Sequence, residues 1–294
     1  MRSISPKRCR RRFEVLIVQL LGQILSYHFA QKALLVGTLT SLCSALLGVS
    51  LVLKRYSMIG DGLSHVGFGA LCVAAVLNLA PLRVAVPVVI VAAFFLLRLS
   101  ERSSIKGDAA IALISSTAIA VGLIVSSRVN GISSDVSGYM FGSILAVDDR
   151  DVPFSVALSL CVLILYAFFY HRIFSVTFDE NFARGTGIRT GWFNALLALL
   201  TAVTIVVGMK LMGTLLISSL IIFPPLSAMR VCRSFRAVVC TAGILSVVCF
   251  VCGIVASFAF EFPAGASVVA VNAAAFLLFA AIGTLRKRAG RKDI

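Results

Sequence analysis

Nine stretches of this chain are long, apolar and free of Asp, Glu, Lys and Arg: Ala33–Leu53, Leu63–Leu82, Val84–Leu97, Ala109–Ser127, Val152–Tyr170, Trp192–Met209, Leu211–Met229, Val238–Phe260 and Ala264–Leu285. A bilayer core about 30 Å thick is crossed by about 20 helical residues, or by about 10 in a strand. Inside it every backbone N–H and C=O must bond within the protein, so a spanning segment is a helix or part of a closed barrel. Runs this long fit helices and are too long for strands. The expected fold is therefore all-α, a polytopic membrane protein of about nine transmembrane helices. Val84–Leu97 is short for a span, and Arg98 can extend it by snorkelling to the interface.

Composition then narrows the function. Twenty-seven Lys and Arg against twelve Asp and Glu give a net charge of +15, a balance that in a soluble protein would point to nucleic acid. Here the basic residues sit in short clusters between apolar runs, so the partner they imply is membrane lipid and not nucleic acid. The spans nearly use up the 294 residues, which leaves no room for a soluble catalytic domain. No G-x-x-x-x-G-K-[ST] phosphate loop occurs, so the chain is not expected to hydrolyse ATP by that route. An intramembrane relay of carboxylates, expected of a proton-coupled carrier, is also missing.

Cytoplasmic loops are enriched in Lys and Arg. Alternate connections collect sixteen basic residues on one side, Lys54, Arg55, Arg184, Arg189 and Arg286 among them, and only Arg83, Arg128, Arg150 and Lys210 on the other. This places the C-terminus and the Thr177–Arg189 loop in the cytoplasm. The expected organisation is a basic leader with an amphipathic or marginal membrane segment over 1–32, a permeation domain over 33–285 and a basic cytoplasmic tail over 286–294. Nine spans would leave the basic N-terminus outside, so Phe13–Gln31 is either a tenth, marginal span or an interfacial helix. On the outer side, Tyr139–Val147 is apolar but too short to span, and reads as a re-entrant or interfacial helix. The outer acids Asp135, Asp148, Asp149 and Asp151 could favour cations by their field.

Two features could carry chemistry. Asp61 and His65 stand in Gly60-Asp61-Gly62-Leu63-Ser64-His65 at the start of the second span. An ionisable group there costs on the order of 3 kcal/mol and usually faces an interior pathway. Four residues apart on a helix, the two share a face and could meet one cation, their mixed O and N donors suiting zinc, manganese or iron(II). The competing reading makes Asp61 a helix cap at the interface and His65 a satisfied core residue. Gly60, Gly62, Gly67 and Gly69 would allow close helix approach, as a pore between two copies requires. The second feature is Pro224-Pro225, which would kink the seventh span and serve in gating. Cys249 and Cys252 read as a packed pair on one helix face.

The run from Leu53 to His65 resembles the signature of permease subunits of bacterial ABC importers for zinc, manganese and iron. Tyr139–Val147, Phe178–Ile188 and Gly213–Pro225 are similar to the same family in the same order, so the resemblance extends over nearly the whole chain. It implies a helical permease of the bacterial inner membrane that pairs with a second permease, a homodimer copy or a paralogue. It also implies two cytoplasmic ATPase subunits and an extracytoplasmic metal-binding protein. No cofactor is held permanently, and the ion is cargo. The family's Gly-Asp-x-x-x-His motif carries over to Asp61 and His65. Its ATPase-docking loop carries over to Phe178, Asp179, Glu180, Phe182, Ala183, Arg184 and Gly185. An ABC permease for a metal chelate or cofactor, and a secondary cation transporter, are the alternatives.

Overall fold

A computed structural model describes residues 28–102, 107–127, 138 and 151–289. Among the described residues the regular structure is helical throughout. In chain order the helices are α1 His28–Leu53, α2 Ser57–Val76, α3 Pro81–Arg102, α4 Gly107–Ser126, α5 Asp151–Phe168, α6 Tyr170–Phe178, α7 Glu180–Gly185, α8 Thr190–Met212, α9 Thr214–Val231, α10 Phe235–Phe260 and α11 Ala264–Ala289. Nine of them, all but α6 and α7, are long and apolar enough to cross a membrane. The chain is a multi-pass membrane protein. The residues assigned to the outer Tyr139–Val147 segment, to Asp135, Asp148 and Asp149, and to most of the basic leader lie outside the described residues.

The element boundaries correct the sequence reading in four places. α1 begins at His28, so the end of the marginal segment is simply the first turn of the first span. α2 covers Ser57–Val76 rather than Leu63–Leu82. It ends because Asn78 adopts a left-handed conformation (φ 51°), with Asn78 N–H bonding Ala75 O and Leu79 N–H bonding Ala74 O, the two bonds of a Schellman cap. Leu77–Leu82 is apolar but forms a turn, and Pro81 opens α3, where its missing N–H costs nothing. α3 is consequently 22 residues long, beginning earlier than Val84 and running past Arg98, to which the short span was expected to extend. Finally, α9 stays helical through Pro224 and Pro225, so the pair does not break the helix. The boundary between α8 and α9 falls at Gly213, whose φ of 84° suits glycine alone.

α1, α2 and α8 form the enclosed centre, while α4, α5 and α11 are the most exposed spans. α2 packs against α3 and α4, α8 against α1 and α3, and α9 against α1, α10 and α11. One apolar cluster joins α2, α3 and α8 through Leu63, Phe68, Val89, Leu96, Ile205 and Met209. Several hydroxyls inside the spans donate to their own helix, Ser44 to Thr40 O, Ser115 to Ile111 O and Thr201 to Leu197 O, each at 2.7 Å, a common way to satisfy a hydroxyl away from water.

Two ion pairs show which connections share a side. Lys54, just past α1, meets Glu180 of α7 at 3.4 Å, while Lys210 in the last turn of α8 pairs with Asp151 in the first turn of α5. Each charge also sits at the helix end its sign favours. The first pair joins two connections of the basic side, the second two of the opposite side. Asp151 is therefore neutralised by Lys210, which corrects its reading as an acid free to attract cations.

Candidate functional site

Asp61 and His65 lie in the second and third turns of α2, four residues apart, with Asp61 Oδ2 3.6 Å from His65 Nε2. The helix start belongs to Tyr56, so Asp61 is not a cap. From Ile59 to Cys72 these two are the only residues not buried. Their side chains are 41% and 28% exposed, so an otherwise enclosed helix opens through one carboxylate and one imidazole. Two donors about 2.1 Å from one metal ion at a tetrahedral angle stand roughly 3.4 Å apart. The observed spacing needs only a small side-chain adjustment to meet that requirement.

Ser64 and Ser218 brace this pair from behind. Ser64 Oγ donates to the Asp61 carbonyl at 2.7 Å and lies 3.2 Å from Ser218 Oγ of α9. Ser218 Oγ in turn donates to Thr214 O of its own helix at 3.1 Å, and it also lies beside the Asp61 carboxylate. Sequence reasoning missed Ser218, for a hydroxyl in an apolar helix usually bonds its own backbone. Only the packing of α9 on α2 sets it apart.

The glycines around the pair are consumed inside the chain, which corrects their assignment to a contact between copies. A Cβ on Gly69 would stand 2.6 Å from Ala118 O of α4, one on Gly62 2.6 Å from Ile111 Cγ2, and one on Gly67 2.4 Å from Met209 Cε. α2 is thus held tightly, with Gly62 and Gly69 seated against α4 beside the face that carries Asp61 and His65, and Gly67 against α8 on the opposite side. Cys249 is buried but Cys252 is exposed, so that pair is not packed as a unit. Among the described residues, no three of His, Cys, Asp and Glu come together as a metal-binding group.

The segment Phe178–Ile188 takes in the last residue of α6 and the whole of α7, parted by Asp179, whose backbone is extended and whose carboxylate accepts from Phe182 N–H at 2.9 Å. It is the N-cap of α7. Gly187 (φ 83°) ends that helix, with Ile188 N–H on Ala183 O and Gly187 N–H on Arg184 O, while Gly185 remains helical. Ala183 is fully buried and pins α7 down, whereas Phe178 and Phe182 are 69% and 67% exposed. Two bare phenylalanines on a polar loop make an apolar surface that a partner could cover.

Glu180 is the hub of α7. Its carboxylate receives Lys54 Nζ at 3.4 Å, Asn194 Nδ2 at 3.4 Å and Arg184 Nη2 at 3.3 Å, and Lys54 also donates to Asn194 Oδ1. Partial burial pushes the Glu180 carboxyl up, but the Lys54 charge, then the Asn194 amide and Arg184, outweigh it. The net result lies below the ordinary glutamate value.

Comparison with known proteins agrees with this architecture. The ABC 3 transport family matches residues 26–283. The manganese transport system membrane protein MntC of Halalkalibacterium halodurans is 27% identical over 256 residues, 87% of this chain and 88% of that protein. The high-affinity zinc uptake system membrane protein ZnuB of Haemophilus influenzae is 29% identical over 246 residues, 84% of this chain and 94% of that one. Among solved structures, PsaBC from Streptococcus pneumoniae in complex with Fab superposes with a TM-score of 0.81 at 27% identity, covering 90% of this chain and 95% of that one.

Proposed function

This chain belongs to the ABC 3 transport family, and from that premise we propose that it is the permease of an importer that carries zinc, manganese or iron(II) into a bacterial cell. The observation that carries the reading is the opening of α2 through Asp61 and His65, the only residues of Ile59–Cys72 left unburied. A carboxylate and an imidazole suit these borderline ions, whereas calcium and magnesium prefer oxygen alone. Named relatives in manganese and zinc systems support the cargo class.

The chain works within the inner membrane, with its basic face and C-terminus in the cytoplasm. A second permease, either another copy or a paralogue, faces it across the pathway. An extracytoplasmic metal-binding protein delivers the ion, and two ATPase subunits seat on Phe178 and Phe182. ATP is hydrolysed on those subunits, so this chain catalyses no reaction. Closure of the ATPase pair moves α7 and rocks the helices between outward and inward states. The ion pauses at Asp61 and His65, with Ser218 beside the carboxylate and Ser64 holding the Asp61 backbone carbonyl, and then leaves inward.

The test is uptake of radioactive zinc, manganese and iron into vesicles carrying the permease with its ATPase and binding protein, for wild type, Asp61→Ala and His65→Ala. ATP-dependent uptake of one metal that is lost in both variants is the expected result and identifies the cargo. Uptake unaffected by either change refutes the site. Uptake of none of the three metals moves a chelate or cofactor cargo to the front.

A further inference from the structure

Lys54 is an ammonium with only 7% of its side chain exposed. Burying such a charge costs several kcal/mol of hydration unless its partners are well placed, and replacing the pair by apolar groups is often no less stable. Stability alone does not explain it. What Lys54 does is join three elements at one point: the end of α1, Glu180 of the loop helix α7 and Asn194 in the first turns of α8. Asn194 is itself 3% exposed and donates to both Glu180 oxygens.

The turn beyond Lys54 is stiff. Tyr56 N–H bonds Leu51 O at 2.7 Å and Arg55 N–H bonds Val52 O at 3.1 Å, with Arg55 in the left-handed conformation (φ 61°). These are again the two bonds of a Schellman cap, here with an arginine in the position that usually takes glycine. Tyr56 then starts α2. Tyr56 and Ile59 line one small cavity together with Lys54 and Asn194. From Tyr56 to Asp61 is five helical residues, about 7.5 Å along the axis. A push on α7 therefore reaches Asp61 through one salt bridge and one rigid turn.

The geometry points to Lys54, with Glu180 and Asn194, as the strut that transmits movement of the ATPase-docking helix to the metal-bearing helix α2. Lys54 is a positioning residue: it touches neither the ion nor the ATPase surface made by Phe178 and Phe182. The inference rests on the transport reading above.

The experiment uses the assembled complex in proteoliposomes, comparing wild type with Lys54→Met, which keeps most of the stem and removes the charge, and Lys54→Arg, which keeps the charge. Three readouts are taken: ATP hydrolysis, metal uptake per ATP, and hydrogen exchange of the peptides covering 56–66 and 180–188 with and without vanadate-trapped nucleotide. In Lys54→Met, hydrolysis and the nucleotide-dependent change at 180–188 are expected to persist. Uptake per ATP is expected to fall roughly tenfold, and the change at 56–66 to disappear. Lys54→Arg is expected to retain both.

A change at 56–66 that survives in Lys54→Met overturns the inference. So does loss at both peptides together with loss of the bound ATPase, because Lys54 would then only support docking. If wild type hydrolyses ATP yet takes up none of the three metals, the cargo reading fails, and the exchange at 56–66 still decides the strut.

Discussion

A tight contact between α1 and α9 follows from Pro225. A proline has no N–H, so the carbonyl four residues earlier, Ile221 O, loses its helical partner. That oxygen faces α1 at Gly48. A Cβ built on Gly48 would lie 2.1 Å from Ile221 O and 3.0 Å from Pro225 Cγ. Carbon approaches a carbonyl oxygen to about 3.3 Å at closest, so Gly48→Ala must open the α1–α9 contact by about 1.2 Å, the difference between 3.3 and 2.1 Å. The obstacle is backbone, which cannot rotate away. Overpacking of this kind costs about 1–3 kcal/mol, a fall of roughly 3–10 °C in Tm. The assay is thermal unfolding of the purified permease in detergent, read by size-exclusion chromatography. Gly185→Ala is the control, since nothing lies within 4 Å of a Cβ there. A Gly48→Ala protein that melts within a degree of wild type, or a control that falls as far, refutes the reasoning. Because α9 carries Ser218, uptake by Gly48→Ala is also expected to fall.

Three further outcomes follow from single contacts. Glu180 is held below the ordinary glutamate value, so its tie from α7 to Lys54 and Asn194 is complete above about pH 4.3 and is lost as pH falls through its lower folded value. Protection factors of the 180–188 amides, corrected for intrinsic exchange, should hold from pH 7 to 5 and drop only below about 4. A drop already between 7 and 5 contradicts the assignment, and Glu180→Gln should show the loosened state at neutral pH. Asp151→Asn leaves Lys210, 13% exposed, without its charge partner and should cost about 1–3 kcal/mol. Adding Lys210→Met should recover much of the lost Tm, and a double variant no better than the single one argues against the pair. Phe178→Ala with Phe182→Ala should abolish co-purification of the ATPase while leaving the permease's Tm within about a degree, since both side chains are mostly exposed. Lost stability would mean they belong to the core instead.

The spans were legible in the sequence because bilayer thickness fixes their length and water exclusion fixes their composition. Asp61 and His65 stood out as candidates for a related reason, as ionisable groups are conspicuous against an apolar background. What could not be read was whatever depends on partners far along the chain. Lys54 and Glu180 are 126 residues apart, and each alone looks like a loop charge. Leu77–Leu82 carries no charge and continues the apolar run, yet Asn78 turns the chain and Pro81 opens the next helix, and hydropathy does not register a left-handed residue. The glycines of α2 signalled close approach correctly but not to what, because a missing side chain does not name its neighbour. Ser218 carried no signal at all until α9 packed on α2.

On the transport reading, the sparseness of the site is itself meaningful. A structural zinc site closes four protein ligands around the ion and holds it for the life of the fold. A cargo site must let go, and conduction demands binding strong enough to admit the ion but weak enough to release it. α2 offers two strong donors on a partly open face, and the described residues add no third His, Cys, Asp or Glu. The remaining coordination positions must then be filled by groups that can be exchanged, such as water, a serine hydroxyl or the facing permease. Rocking the helices alters those without disturbing Asp61 and His65, whose mutual spacing is set within one helix. The stroke that ATP drives through α7 would therefore change how many partners surround the ion rather than break the pair that first receives it. A variant supplying one more strong ligand, such as Ser218→Asp beside Asp61, should bind metal more tightly and transport it more slowly, and faster transport would show that release is not what limits the cycle.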